Sequence, residues 1–417
     1  MRIALLAYRG DPFCGGQGVY IRNLSRELLA LGHDVEVFAG QPYPVVDNGV
    51  VLTPLPSLDL YRQPDPFRVP SWSEFRDPID LLEFGIMCSA GFPEPLTFSL
   101  RAARMLRART SDFDVVHDNQ TLGYGILDIA RRLPVVETIH HPITVDRRTE
   151  LSSAVGRKRL SVHRWYGFAT MQRRVARRLA HTITVSRSSA ADIVRDFGLP
   201  PGRLRIVPVG IDPELFRPLP GVAVVRGRIV TTASADVPMK GLGVLLEAVA
   251  KLRVDHDVEL VVVGKRRRGG STDRALSRLG LTDVVRFVSG IDDKALVALL
   301  KSAQVAVVPS LYEGFSLPAV EAMACATPLV ATTGGALPEV VGTDRDTALL
   351  VEPNDPSALA GAIGELLDHP ALAERVGAAG RARVLRRFTW RSAALQTAEV
   401  YRAAIAARYG HEDGTAC

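Results

Sequence analysis

The chain of 417 residues carries 51 Lys and Arg against 45 Asp and Glu, a formal net charge of +6, with 47% hydrophobic and 23% charged residues. That balance excludes extended disorder, and the length exceeds what one hydrophobic core supports, so two domains with a cleft between them are expected. Four widely separated cysteines have neither metal-ligand spacing nor a disulfide framework, which points to a reducing, cytoplasmic setting. The opening Met-Arg-Ile-Ala-Leu-Leu-Ala-Tyr is too short an apolar run for a secretion signal or a membrane span and reads as a buried strand.

Along the chain, short apolar runs at 3–7, 35–38, 115–117, 135–139, 182–185 and 205–208 alternate with longer segments of helical period. Strands buried on both faces of a parallel sheet produce this pattern. After the first run, Cys14-Gly-Gly-Gln-Gly-Val-Tyr20 opens a helix spanning about 19–31. Gly15, Gly16 and Gly18 let backbone N–H groups approach a phosphate at the helix N-terminus, although a tight turn alone explains them equally well. The third glycine of a dinucleotide fingerprint is missing, which lowers a dehydrogenase reading. Residues 54–95 are rich in proline and aromatics and do not fit a minimal Rossmann half; an acceptor-side lid and a structural decoration both account for them. Two strands end at Asn119 and at Thr138-Ile-His140-His141, on the edge where open parallel sheets place ligands. From Arg147 to Arg178 there are ten Lys or Arg and, after Glu150, no acid, interleaved with Trp165, Tyr166, Phe168 and Met171. Such a segment suits an anionic membrane surface or a phosphorylated acceptor; a solvated face over a buried aromatic stripe is the structural alternative.

The Pro- and Gly-rich stretch at 210–221 reads as a linker, with the boundary at 213–225. The alternation then restarts at 229–232, 258–263, 284–288, 305–308 and 329–331, giving a second Rossmann-like domain. Pro309-Ser-Leu-Tyr-Glu-Gly-Phe-Ser-Leu-Pro-Ala-Val-Glu321 follows a buried strand, and a helix starts at Leu317. Its amide end faces the cleft. Glu313 there meets sugar hydroxyls, the amides of Gly314, Phe315, Ser316 and Leu317 bind phosphate, and Glu321 reaches ribose hydroxyls. Helices follow at 356–387 and 391–408, ahead of a tail to 417.

The pair Glu313…Glu321, the runs Thr333-Gly-Gly-Ala-Leu-Pro-Glu-Val340 and Leu349-Leu-Val-Glu-Pro-Asn354, the Gly15-Gly-Gln-Gly18 turn, Gly210-Ile-Asp212 and Lys240-Gly241 together resemble the retaining GT-B glycosyltransferases of family 4, the group 1 glycosyl transferases. The resemblance covers nearly the whole chain. It implies an α/β GT-B fold: two Rossmann-like, doubly wound parallel-sheet domains facing a central cleft. Residues 1–212 would bind the acceptor and 226–390 the donor, with 391–417 forming a helix that crosses back, plus the tail. It implies transfer of a sugar from a nucleotide-diphosphate sugar, UDP- or GDP-linked, to a small-molecule, glycan or lipid-linked hydroxyl. Configuration is retained, with no metal and no cofactor. Lys240 then binds the diphosphate, but the arginine that normally accompanies it falls at Ser234 or Ala235, and one residue of the basic run Lys265-Arg-Arg-Arg268, with Lys265 taken as donor-binding, is expected to compensate. His140 stands near the transferred sugar, with Asn119 and His141 on the acceptor side. Asn119 occupies a place where the family often has histidine, and an amide cannot take a proton. No carboxylate nucleophile is evident, so a front-face reaction is expected, with Glu313 and His140 as the catalytic pair. Other readings are a GT-B-like phosphorylase or epimerase, or a non-enzymatic binder of anionic surfaces. Nucleic acid is set aside because no binding motif accompanies the arginines. A peripheral position on the inner face of a membrane is compatible with the basic segment.

Overall fold

Every strand pairing of the two sheets in the computed structural model is parallel, which buries both faces of each sheet and explains why the strands read as unbroken apolar runs. The structure describes residues 1–10, 16–62, 64–154, 156–233 and 237–410. Contacts divide the chain into two compact units. The first holds residues 1–185, 189–207 and 393–417, the second 186–188 and 208–392.

In the first unit, β1 (Arg2–Ala7), β2 (Asp34–Ala39), β3 (Val51–Pro54), β4 (Val115–Asn119), β5 (Val135–Ile139), β6 (His181–Thr184) and β7 (Leu204–Ile206) form a sheet of order β3-β2-β1-β4-β5-β6-β7. In the second, β8 (Arg228–Thr232), β9 (Glu259–Val263), β10 (Val285–Val288), β11 (Val305–Val308), β12 (Leu329–Thr332) and β13 (Leu349–Val351) run in the order β10-β9-β8-β11-β12-β13. Each order reverses once, between β1 and β4 and between β8 and β11. That reversal is where an open sheet leaves a crevice at its strand C-termini.

The sequence reading passed over β3 and β13. β3 carries Pro54 at its end, which only an edge strand tolerates, and β13 is three residues long. The segment expected as a free linker at 213–225 groups with the second unit. Just ahead of it, Ile211 N–H donates to Phe388 O at 2.8 Å, and Ile211 bridges to Thr389. The insertion at 54–95 has structure of its own, a turn of 3-10 helix (Trp72–Glu74) and the helix Pro78–Cys88. Asp80 and Glu83 of that helix are buried and both pair with buried Arg101, at 2.6 and 2.5 Å, so the insertion is riveted to the helix Glu94–Arg107. Breaking one member of a buried ionic triad strands the others uncompensated.

The last helix, Trp390–Tyr409, places most of its length in the first unit. Its Tyr401 is fully buried, with Oη 2.5 Å from His117 Nδ1, while His117 Nε2 lies 2.7 Å from Thr138 Oγ1. His117 is thereby structural, its pKa held down to about 3 by burial and then by nearby His140. Among the described residues no helix is long and apolar enough to cross a membrane.

On the other face of β5, Glu137 is wholly buried. Thr182 Oγ1 donates to its Oε1 at 2.8 Å, and its Oε2 has no partner. Burial pushes its carboxyl up to about 8, and Asp118 adds to the rise. The folded protein holds this proton more tightly than the unfolded chain, so stability falls as pH rises from the ordinary carboxyl range through about 8. Replacing Glu137 by Gln should raise Tm by a few degrees at pH 8.5 and change it little at pH 5, as read by thermal melts across that range. An equal shift at both pH values would refute the buried-proton account.

Candidate functional site

The crevice of the second sheet opens at the ends of β8 and β11. After β8, a 3-10 turn (Pro238–Lys240) is stopped by Gly241 at φ +66°, and an added Cβ there would lie 1.9 Å from Pro309 O. Only glycine allows so close a backbone approach in that conformation. The two loops are also stitched directly, Leu311 N–H donating to Met239 O at 2.8 Å. The consequence is a side-chain pair: Lys240 Nζ donates to Glu313 Oε1 at 2.8 Å, and Ser310 Oγ donates to the same oxygen at 2.7 Å. Glu313 is buried and Lys240 about one-third exposed, so the pair presents the ammonium toward solvent and the carboxylate beneath it.

The third wall is the turn after β12. Ala336 N–H donates to Glu313 O at 2.8 Å, and Gly335, at φ +65°, leaves only 2.3 Å between an added Cβ and that same carbonyl. Thr332 Oγ1 donates to Ser310 O. Gly314, Phe315, Ser316 and Leu317 lead into the helix Leu317–Ala324, where Ser316 is the N-cap at φ +93° and its side chain accepts from Ala319 N–H. A non-glycine residue in that region stores about 1–3 kcal/mol of strain, which marks a loop held in place by its surroundings. Phe315 secures it from below against Phe388, ring centroids 5.5 Å apart. The positive helix end thus belongs to the same short loop as Glu313, the carboxylate that holds the Lys240 ammonium, an arrangement suited to a diphosphate. Glu321 is partly buried on the same helix; burial, and then Asp293, pushes its carboxyl up to about 7.

Lys265 follows β9 but is exposed. It lines an open groove of about 1070 Å³ with Arg266, Arg268 and Arg286, and none of Lys240, Glu313 or Glu321 lines it. The positions 234–235, where the companion arginine was sought, lie outside the described residues.

The first sheet has its own constellation at the ends of β4 and β5. His140 Nε2 is 2.8 Å from Asn119 Oδ1; with the amide oxygen accepting, Nε2 carries the proton. The His140 N–H donates to Gln120 Oε1 at 2.8 Å, and Gln120 Nε2 donates to His141 O at 3.0 Å. Gln120 sits at φ +59° and Leu122 at φ +51°, so this loop too is held in a strained form. Tyr20 packs edge-on to His140, centroids 4.7 Å apart. Burial, and then His141, lowers the His140 pKa to about 3, so the imidazole is neutral and acts through hydrogen bonds rather than charge. His141 turns away to Asp146, 2.9 Å from Nε2. Gly16 begins the helix Gly16–Ala30 and Gly18 is buried within it, whereas Gly15 lies outside the described residues.

Sequence reading missed Gln120 and Ser310. Ser310 had a faint signal, a hydroxyl three residues before Glu313; Gln120 had none, because its role depends on two strands meeting.

Two family models match the chain, Glycosyltransferase Family 4 over residues 14–215 and Glycosyl transferases group 1 over 223–383. An MMP α-(1→4)-mannosyltransferase from Mycolicibacterium hassiacum is 56% identical over 97% of this chain and 99% of its own. The chain belongs to glycosyltransferase family 4. A D-inositol 3-phosphate glycosyltransferase from Streptomyces scabiei is 30% identical over 97% of this chain and 91% of its own. Among solved structures, sucrose-phosphate synthase from Thermosynechococcus elongatus superposes with a TM-score of 0.74 at 25% identity, covering 98% of this chain and 100% of that one. This family 4 enzyme is therefore a glycosyltransferase of GT-B fold with two Rossmann-like domains.

If the Gly241 contact fixes the Lys240–Glu313 pair, Gly241→Ala should cut glycosyl transfer at least about tenfold while far-UV circular dichroism stays native. Unchanged turnover would show that the loops tolerate separation.

Proposed function

We propose that this enzyme transfers a mannosyl unit from a nucleotide-diphosphate mannose, UDP- or GDP-linked, to a hydroxyl of a mannoside acceptor, with retention of configuration and without a catalytic metal. The relative from M. hassiacum, named an α-(1→4)-mannosyltransferase and alike over nearly its full length, supports the sugar. The observation that carries the donor role is the Lys240–Glu313 pair beside the N-terminus of the helix Leu317–Ala324.

In the front-face route the bond from the anomeric carbon to the diphosphate oxygen breaks while the acceptor oxygen bonds to that carbon on the same face. The acceptor proton passes to the departing phosphate. Lys240 and the helix end stabilise the charge that develops on the leaving group, the work a metal ion does elsewhere. Glu313 accepts hydrogen bonds from hydroxyls of the transferred sugar and keeps the anomeric carbon in line. Glu321 accepts from the ribose hydroxyls. In the first unit, neutral His140, held in orientation by Asn119, is suited to hydrogen-bonding sugar hydroxyls, while Gly16 and Gly18 lie in the first turn of the helix Gly16–Ala30, with Gly18 buried.

A thermal-shift screen with UDP- and GDP-mannose tests the donor site. One donor should raise Tm by several degrees, and Lys240→Ala should abolish the shift. Glu313→Gln should lower kcat about 100-fold with a modest change in donor KM, and EDTA should leave wild-type turnover intact. Wild-type turnover in Glu313→Gln, or loss of activity with EDTA, would overturn the assignments.

The segment 147–178 supports a peripheral membrane position. Arg157, Lys158, Arg159, Arg164, Arg173 and Arg174 face solvent, above a stripe of buried Val162, Tyr166, Met171 and Val175. Sedimentation with phosphatidylglycerol vesicles at low salt should capture the enzyme and release it at high salt; no capture at low salt would remove the membrane role.

A further inference from the structure

Five aromatic rings gather beyond the ends of the first sheet and take no part in the chemistry above. Tyr61, Phe67 and Phe92 come from the insertion, Phe92 from the turn after its helix Pro78–Cys88, and Trp165 and Phe168 from the basic segment. Tyr61 lies 5.6 Å from Trp165 and 5.4 Å from Phe92, Phe92 lies 5.1 Å from Trp165, and Phe67 lies 6.0 Å from Trp165, centroid to centroid. A cluster of this size in a domain core would be sealed, yet Tyr61, Phe92, Trp165 and Phe168 are only half-buried and Phe67 is 58% exposed.

One side of the cluster is polar. Arg9, two residues past the end of β1, lies over the Tyr61 and Phe92 rings, 6.0 and 5.9 Å from their centroids. Its Nε stands 2.8 Å from Glu94 Oε2, but the two are misaligned: both atoms are buried and neither makes a hydrogen bond. Buried polar atoms with unused hydrogen-bonding capacity are uncommon and call for a partner. Because β1, β4 and β5 are parallel neighbours, Arg9 emerges from the same sheet edge as Asn119 and His140.

We propose that Tyr61, Phe92 and Trp165, with Arg9 and Glu94, form a glycan subsite that binds the acceptor beyond the reacting sugar and makes the enzyme prefer an oligosaccharide to a single sugar. A pyranose has an apolar face of C–H groups that lies on aromatic rings and a rim of hydroxyls that pairs with an Arg–carboxylate couple. Rings and couple are adjacent here. The proposal rests on the mannosyltransferase reading for the identity of the sugar.

The probes are methyl α-mannoside and α-(1→4)-linked mannotetraose. With the full chain and no donor, the tetrasaccharide should change the tryptophan fluorescence of the wild type, and the change should be absent in Trp165→Phe. With whichever of UDP- or GDP-mannose the wild type turns over, Trp165→Ala should raise KM for the tetrasaccharide about tenfold. Its kcat, its KM for the monosaccharide and its donor hydrolysis should stay within twofold. Phe67→Ala, which removes an exposed ring and leaves the core intact, should raise the tetrasaccharide KM about threefold. A fluorescence change with phosphatidylglycerol vesicles but none with tetrasaccharide would overturn the subsite and make the rings a membrane contact. Equal KM changes for both acceptors would also overturn it. Should neither donor be turned over, the mannosyltransferase reading fails, while the fluorescence titration still decides the subsite.

Discussion

The contact between Gly241 and the Pro309 carbonyl governs the second unit. Two loops that leave separate strands, β8 and β11, can bring a lysine and a glutamate within 2.8 Å only if their backbones nearly touch. A side chain at position 241 would separate them by the width of a methyl group. With the loops closed, Ser310 and Lys240 both donate to one oxygen of Glu313, and the turn at Gly335 and Ala336 clamps its carbonyl from the other side. The site is therefore stiff before any ligand arrives. Preorganisation of this kind lets charge stabilisation act at the moment of reaction without first spending free energy on rearrangement.

The two sheets treat ionisable groups differently. In the second unit the Lys240–Glu313 pair sits at the strand ends, with the ammonium about one-third exposed over a buried carboxylate. In the first unit several are sunk into the sheet itself. His117 and His140 are kept neutral by burial, and Glu137 is pushed toward its protonated form. The first histidine joins Tyr401 to Thr138; the second is tethered by Asn119 and Gln120. Neutral groups locked by hydrogen bonds hold their orientation in the sheet without needing a counter-ion.

Much of this was legible in the sequence, and the reasons are local. Unbroken runs such as 305–308 announce a strand buried on both faces, and the string from Pro309 to Glu321 carries a strand end, a turn and a helix start in one reading. The Pro54 edge strand was hidden because proline argues against a strand until the partner on one side only is known. The bridge between Ile211 and Thr389 was not legible, since a pairing of residues so far apart leaves no periodic trace. Lys265 follows a strand end and lines an open groove with Arg266, Arg268 and Arg286. Which groove a strand end feeds depends on the order of strands in the sheet, and that order leaves no local trace in the sequence.

The burial of Tyr401 against His117 reaches beyond stability. The first unit draws on residues 1–185, 189–207 and 393–417, so a segment that follows the whole second unit in sequence supplies the helix that covers His117. His117 and Tyr401 stand 284 positions apart in the chain, and their contact forms only when that distance has been closed. Contacts of such long sequence separation must overcome loop-closure entropy before they reward the fold, so the last bond of the first sheet is a slow one to make.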